Sequence, residues 1–379
     1  MAKKILYIYG GLYNLNGMSA MITQKVNYLA DYADYEMYIV LTEHPEKPWL
    51  YQLSDKVHVK YLKVNFDDLD TMPFYKKVIC YFYKLRKARK LLTDYMMCLR
   101  PDVTISITRR EINFINQIQD GSKKIAEIHF ARTYYRQFKK EYLPDFINQW
   151  ISRIWMSSLI KQLKLLDKFV VLTEEDSHNW PELNNVVVIP NFVSKIPSEK
   201  TDCLPKRVIA VGRYSWQKGF DLLISAWEIV FQSHNDWILD IYGGGDYGRF
   251  QKLADSKGLS AVVHCHPAVS NIFEEYQKSG LFVLSSRFEG FGLVLVEAMG
   301  AGLPAVSFAC PCGPRDIVED GKSGILVESG NVNQLADGIC SLIENEGLRK
   351  SMGTEAVKRA NNFTKEGIMP KWISLFESL

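Results

Sequence analysis

Two glutamates eight positions apart, Glu289 and Glu297, flank a glycine-bearing turn in the stretch LFVLSSRFEGFGLVLVEAMGAGLPAV, residues 281–306. The pattern reads as a buried strand from Leu281 to Ser286, a loop from Arg287 to Gly292, and a helix from Leu293 to Gly302 that is apolar on every side. Pro304 opens the next strand. Glu289 is then expected in a loop at the carboxyl end of a strand, where open α/β sheets bind ligands, and Glu297 on a buried helix. A carboxylate set among Val294, Leu295, Val296, Ala298 and Met299 costs several kcal/mol unless it finds donors. The two hydroxyls of a ribose would supply them.

A second group of residues suits phosphate. Gly212-Arg213-Tyr214-Ser215-Trp216-Gln217-Lys218-Gly219 follows a short β-branched run, so Arg213 and Lys218 place two cations five positions apart around a turn. Arginine offers a fork of donors and lysine a point charge, a combination that fits a diphosphate. An earlier turn, Gly10-Gly11 through Asn16-Gly17, follows the first strand. Glycine lets backbone approach a phosphate closely, and the next helix offers its free N–H groups. Turns of this kind also serve packing alone in doubly wound domains.

The chain that must position these groups has 379 residues, 47% of them hydrophobic, enough for about two domains with full cores. Strands are expected at Ile5 to Tyr9, Met37 to Leu41, Val57 to Tyr61, Val103 to Ile107, Lys124 to Ile128 and Phe169 to Leu172. A second set is expected at Val208 to Val211, Ile238 to Tyr242, Val262 to His264, Leu281 to Leu284, Ala305 to Phe308 and Gly324 to Val327. Helical periodicity separates them, which predicts an α/β chain of two doubly wound Rossmann-like sheets. The polar segment Ser194 to Lys206, with two prolines, reads as the linker between residues 1–193 and 207–365. A last helix over 366–379, with Trp372, Ile373, Leu375 and Phe376 on its apolar side, must dock on a domain.

A formal charge of +3 with 23% charged residues gives no reason to expect nucleic acid as a partner. Seven cysteines without a repeated metal spacing fit a reducing cytoplasm, and Cys310 and Cys312 read as small buried residues. MAKKILYIYGG turns from strand to glycine loop too soon for a signal peptide, and no run approaches ~18 apolar residues.

The motifs VGRYSWQKGFDLLISAW (211–227), IYGGGDYG (241–248), EGFGLVLVEAMGAGLP (289–304) and CGPRDIVEDGKSGILV (312–327) together identify the chain as a member of glycosyltransferase family 4. The resemblance runs through nearly the whole chain and is nearest to bacterial enzymes that build surface polysaccharides. It implies the two-domain GT-B fold, with an acceptor-side first domain facing a nucleotide-sugar domain across a cleft and the last helix returning to the first domain. It implies that Glu297 grips the ribose of a nucleotide-sugar donor, that Arg213 and Lys218 hold its diphosphate, and that the Gly292-Leu293 helix start adds backbone donors. Glu289, with the Gly290, Phe291 and Gly292 backbone, would orient the transferred sugar. His129, in IAEIHFAR, matches a family histidine that reaches the donor sugar; a lone histidine after a strand is otherwise a satisfied structural residue. Gly17 and Ala268 match further donor contacts.

Family members retain anomeric configuration, which implies that a leaving phosphate oxygen accepts the acceptor's proton and that catalysis is electrostatic and positional. No cofactor and no metal are expected, and uridine is the favoured base. Asp68-Leu69-Asp70 resembles a metal-binding triplet but reads as a solvated loop. The chain departs from the family at Asn16-Gly17-Met18-Ser19-Ala20, where Glu-Arg usually follows two glycines. It departs again at His266, before the base-reading segment Pro267 to Val269. The partners implied are a nucleotide-sugar and a glycan or polyprenyl-linked acceptor. Lys76 to Lys90 carries seven basic residues and no acidic one. At helical spacing it puts Val78, Tyr81, Phe82, Leu85 and Leu92 on one side and Lys76, Lys77, Lys84, Arg86, Lys87 and Lys90 on the other. That face reads either as solvated or as a contact with anionic membrane, which would place the protein at the inner face of the cytoplasmic membrane. A sugar-nucleotide epimerase and a binding-only protein of the same fold remain the alternatives.

Overall fold

A computed structural model describes residues 2–13, 17–137 and 144–379. The chain divides into two compact units, Met1–Leu172 with Ser177–Ile189 and Met369–Leu379, and Thr173–Asp176 with Pro190–Ile368.

In the first unit the β-branched and aromatic runs pair side by side. Its strands among the described residues are β1 (Lys3–Tyr9), β2 (Tyr35–Leu41), β3 (His58–Tyr61), β4 (Val103–Ser106), β5 (Lys123–Glu127), β6 (Lys168–Val171) and β7 (Val186–Val188). They lie in the order β3-β2-β1-β4-β5-β6-β7, and β1 pairs in parallel with both β2 and β4 through Ile5 to Ile8. Among the helices are α1 (Gly17–Tyr32), α2 (Phe74–Leu99) and α3 (Asp145–Leu163). The path from β3 to β4 and that from β5 to β6 cross the sheet in the same direction, and β1 to β2 runs the other way. Right-handed crossovers therefore put α2 and α3 on one face and α1 on the other. One core accordingly joins Leu6, Ile8, Ala126, Phe169 and Val171 to Ala88, Leu92 and Met96 of α2 and to Leu159 and Leu163 of α3.

The second unit holds β8 (Arg207–Val211), β9 (Ile238–Tyr242), β10 (Val263–His266), β11 (Leu281–Leu284), β12 (Ala305–Phe308) and β13 (Gly324–Val327), in the order β10-β9-β8-β11-β12-β13. The helix Phe220–Ser233 buries Phe220, Leu223, Ile224 and Trp227 in its core.

Some expectations change. The short β7 was not anticipated. The expected linker packs along the second unit: Thr201 N–H donates to the Ala301 carbonyl, and Cys203 is buried with its thiol on the Gly302 carbonyl. The last helix spans Lys365–Glu377, and from Met369 onward it belongs to the first unit, with Trp372 and Phe376 buried. Asp68 and Asp70 keep the solvent exposure expected of them, but not in a loop. They lie on the short 3-10 helix Phe66–Thr71, anchored by buried Leu69, with Asp68 paired to Lys84 at 2.8 Å and Asp70 to Lys77 at 3.0 Å.

The Lys76 to Lys90 face is also rotated from the expected one. Lys84 turns inward to Asp68 and the Val64 and Asn65 carbonyls, whereas Phe82, expected on the covered side, is 57% exposed. The inward stripe is set by Ala88, Leu92 and Met96. A four-carbon lysine stem can line the edge of such a stripe while its ammonium reaches carbonyls.

Candidate functional site

The two chemistry-bearing loops of the second unit are stitched together after β8 and β11. Both strands are parallel neighbours, so their carboxyl ends open at the same edge. Arg287 forks onto Asp221 at 2.6 and 2.9 Å and also donates to the Trp216 carbonyl at 2.7 Å. The Arg287 N–H donates to the Gln217 carbonyl, and the Gln217 amide donates to the Phe288 carbonyl. Gly219 closes the first loop with φ +62°, and a Cβ there would stand 2.0 Å from the Ser285 carbonyl oxygen. Only glycine lets the two loops approach this closely.

That stitching brings together residues 71 positions apart. Lys218 Nζ lies 2.7 Å from Glu289 Oε1, and Ser286 Oγ donates to the same oxygen at 2.6 Å. Glu289 is 5% exposed, so the contact is a nearly buried, charge-assisted one. Gly292 follows with φ +101° and leads into the helix Leu293–Gly300, whose first turn receives no side-chain cap. Leu295 N–H turns back to the Gly292 carbonyl at 2.9 Å, and the N–H groups ahead of it suit an anion. Phe291 is buried and Gly290 partly so.

Glu297 projects from that helix. The residue keeps some solvent contact, and desolvation by its apolar neighbours pushes its pKa up to about 7 against the opposing charge of Lys218. Arg213 is exposed on the same turn as Lys218 and makes no ion pair among the described residues. The expected constellation of Lys218, Glu289 and Glu297 thus meets at one edge, with Arg213 and the helix start on its rim.

Ala268 is exposed, beside Pro267 and Val269. His266 is occupied elsewhere: its Nε2 lies 2.6 Å from Asp240 Oδ1, and its ring stacks on Tyr242 at 4.4 Å. Cys310 and Cys312 are buried, and burial pushes both thiols up, as structural cysteines require.

In the first unit, Gly17 begins α1, exposed, and Asn16 lies outside the described residues. His129 stands two residues beyond β5, with a side chain only 5% exposed. Its Nε2 is 3.0 Å from Glu127 Oε1, whose carboxylate also takes a hydrogen bond from Lys25. Sequence reasoning missed Glu127 and Lys25. The alternation of Glu127 and His129 on one side of an extended chain was the available signal.

Residues 195–359 match the family described as Glycosyl transferases group 1. Over 211 residues the chain is 32% identical to an uncharacterized glycosyltransferase of Haemophilus influenzae, covering 54% of this chain and 60% of that protein. It is 32% identical over 225 residues to the poly(ribitol-phosphate) alpha-N-acetylglucosaminyltransferase of Staphylococcus aureus, covering 58% and 46%. The chain spans about half the length of these curated relatives. A crystal structure of a variant of S. aureus TarM with Fondaparinux, alpha-GlcNAc-glycerol and UDP aligns over 99% of both chains at 18% identity, with a TM-score of 0.74. The two parallel sheets are therefore those of the GT-B fold.

Proposed function

Because residues 195–359 match the Glycosyl transferases group 1 family, we propose that the chain transfers a sugar from a nucleoside-diphosphate donor to a glycan or lipid-linked acceptor in surface-polysaccharide synthesis. The observation that carries this reading is the Lys218–Glu289 contact, with the Lys218 charge also acting on the Glu297 carboxyl, beside the start of a helix without a side-chain cap. The relatives' names add support, and the UDP in the TarM complex makes uridine the first base to test.

In this reading Glu297 accepts the two ribose hydroxyls, which gives its buried carboxylate the donors it lacks. Arg213 reaches the diphosphate from the rim. Lys218 bridges Glu289 and the phosphate, and the N–H groups after Gly292 complete the cradle. The acceptor oxygen attacks the anomeric carbon on the face from which the nucleotide departs. The C–O bond to the diphosphate breaks with its electrons moving onto the phosphate oxygen, and that oxygen takes the acceptor's proton. Lys218, Arg213 and the helix start stabilise the growing negative charge, so the reaction needs no metal. Glu289 orients the sugar within the second unit, and His129 enters as a ligand-contacting residue of the first unit on the strength of the resemblance. The test is NMR of the product formed from UDP-sugars in EDTA: an α-linked product supports the reading, and a β-linked one or an absolute metal requirement overturns it.

The proposed workplace is the cytoplasmic face of a membrane. No helix among the described residues is long and apolar enough to cross one. On α2, Tyr75, Ile79, Phe82 and Tyr83 are exposed, followed on the same side by Arg86, Arg89 and Lys90; on α3, Phe146, Trp150 and Ile154 are exposed alongside Arg153. Both helices run antiparallel to the strands on one sheet face, so these apolar stretches sit at the carboxyl end of the sheet. Apolar side chains fringed by cations fit an anionic lipid surface.

A further inference from the structure

The carboxylate beside His129 belongs to a buried cluster drawn from four elements of the first unit. Glu127, the last residue of β5, is fully buried and accepts from Lys25 of α1, itself 1% exposed. The Trp372 ring, from the last helix, lies 3.9 Å from the Lys25 ammonium, and the Tyr7 ring of β1 lies 5.9 Å away. Three polar atoms here have no hydrogen-bond partner: Glu127 Oε2, His129 Nε2 and the Tyr7 hydroxyl. Burial by itself would raise the Glu127 carboxyl, but the charges of Lys25 and His129 bring it below the usual carboxylate range.

Stability does not account for this arrangement. Desolvation of two buried ions offsets most of their attraction, and apolar residues of similar size would hold the core as well. Orphaned buried polar atoms likewise call for another reason. The Lys25–Glu127 pair is electrically complete by itself, so the imidazole stands beside it without being an obligatory counter-ion. The 3.0 Å contact from His129 Nε2 misses hydrogen-bond alignment, so rotation of the ring alone makes or breaks that bond. With Nε2 facing Glu127, Nδ1 is the nitrogen left for a ligand.

We propose that Glu127, Lys25 and Trp372 are positioning residues that fix the tautomer and orientation of His129. Through Trp372, the last helix then controls turnover as well as closing the fold. The inference rests on the proposed role of His129 as a ligand-contacting residue. Trp372 enters as a cation–π partner for the ammonium and as the lid that excludes water from the pair.

The test uses the full chain with 15N-labelled histidine, the His129 signal being assigned through His129→Gln. The parent should show one tautomer with the proton on Nε2. Lys25→Met and Glu127→Gln should shift the ring signals or mix the tautomers. Trp372→Leu should do the same, and Trp372→Phe, which keeps an aromatic face, should restore the parent spectrum. Hydrolysis of UDP-glucose and UDP-N-acetylglucosamine is then followed beside UDP binding. Trp372→Leu should lose about tenfold to a hundredfold in kcat with UDP affinity unchanged, and Trp372→Phe should recover it. Identical His129 spectra in folded Glu127→Gln and Trp372→Leu proteins would overturn the proposal. So would equal kinetic losses in Trp372→Leu and Trp372→Phe. If the spectra couple as expected but His129→Gln leaves turnover intact, the assigned role of His129 fails and the coupling stands.

Discussion

Glu297 shows how a single residue can link ligand binding to pH. Its folded pKa, about 7, lies above the ordinary glutamate value of 4.5, so the folded protein holds this proton more tightly than the unfolded chain does. The stability that this confers is present below the unfolded value and is lost as pH rises through about 7. A ribose diol needs the ionised carboxylate, so UDP affinity should rise between about pH 6 and pH 8 (about one unit on either side of the shifted value) and UDP binding should release a proton. Calorimetry in two buffers of different ionisation enthalpy measures that release, and Glu297→Gln should abolish it. The two cations should also part company. Arg213→Ala should weaken UDP without lowering the melting temperature, because Arg213 is exposed and makes no ion pair among the described residues. Lys218→Ala should do both, since it leaves the nearly buried Glu289 without its counter-charge, at a cost on the order of 3 kcal/mol. Melting curves and UDP titrations of both variants decide this. The Glu289 and Glu297 pair was legible in the sequence because eight positions in one segment span a loop and a helix. The Lys218 contact was not, because loop stitching through Arg287 and Gly219 creates it. Lys25 and Trp372 left no sequence pattern, since each comes from a different element, and Glu127 was marked only by its alternation with His129.

Among the elements, the two runs of strands were readable from β-branched composition, and most edges fall within two residues of expectation. β7 escaped because Val186–Val188 is a triplet with no alternation to read. α2 was readable as a helix, but its facing was not: charge alone suggested that every lysine points outward, whereas the core stripe of Ala88, Leu92 and Met96 turns Lys84 in and Phe82 out. The membrane expectation changes with it. Six cations alone would give docking that salt reverses, but exposed Ile79, Phe82 and Trp150 add contacts that salt does not screen. The parent should co-sediment with anionic vesicles and stay partly bound at high salt. Arg86, Arg89 and Lys90 changed together to Gln should reduce the low-salt binding. Ile79, Phe82 and Trp150 changed together to Ser should remove the salt-resistant part. Equal binding by all three proteins, or none by the parent, counts against a lipid surface.

At the scale of the whole molecule, the chain is two parallel-sheet units, with the last helix leaving the second for the first. The family match covers residues 195–359, which include the groups of the second unit proposed to meet phosphate, ribose and sugar, and one glycosyltransferase relative aligns over 87% of the chain, as the near-complete resemblance implied. The central claim is that this unit grips a nucleoside diphosphate through protein charge alone. Calorimetric titration of the parent protein in EDTA with UDP and with uridine tests it most directly. UDP should bind at least about tenfold more tightly than uridine, because each charge-assisted phosphate contact is worth roughly 1.5 to 3 kcal/mol. Equal affinity for the two ligands, or UDP binding that appears only when a divalent metal is restored, would contradict it.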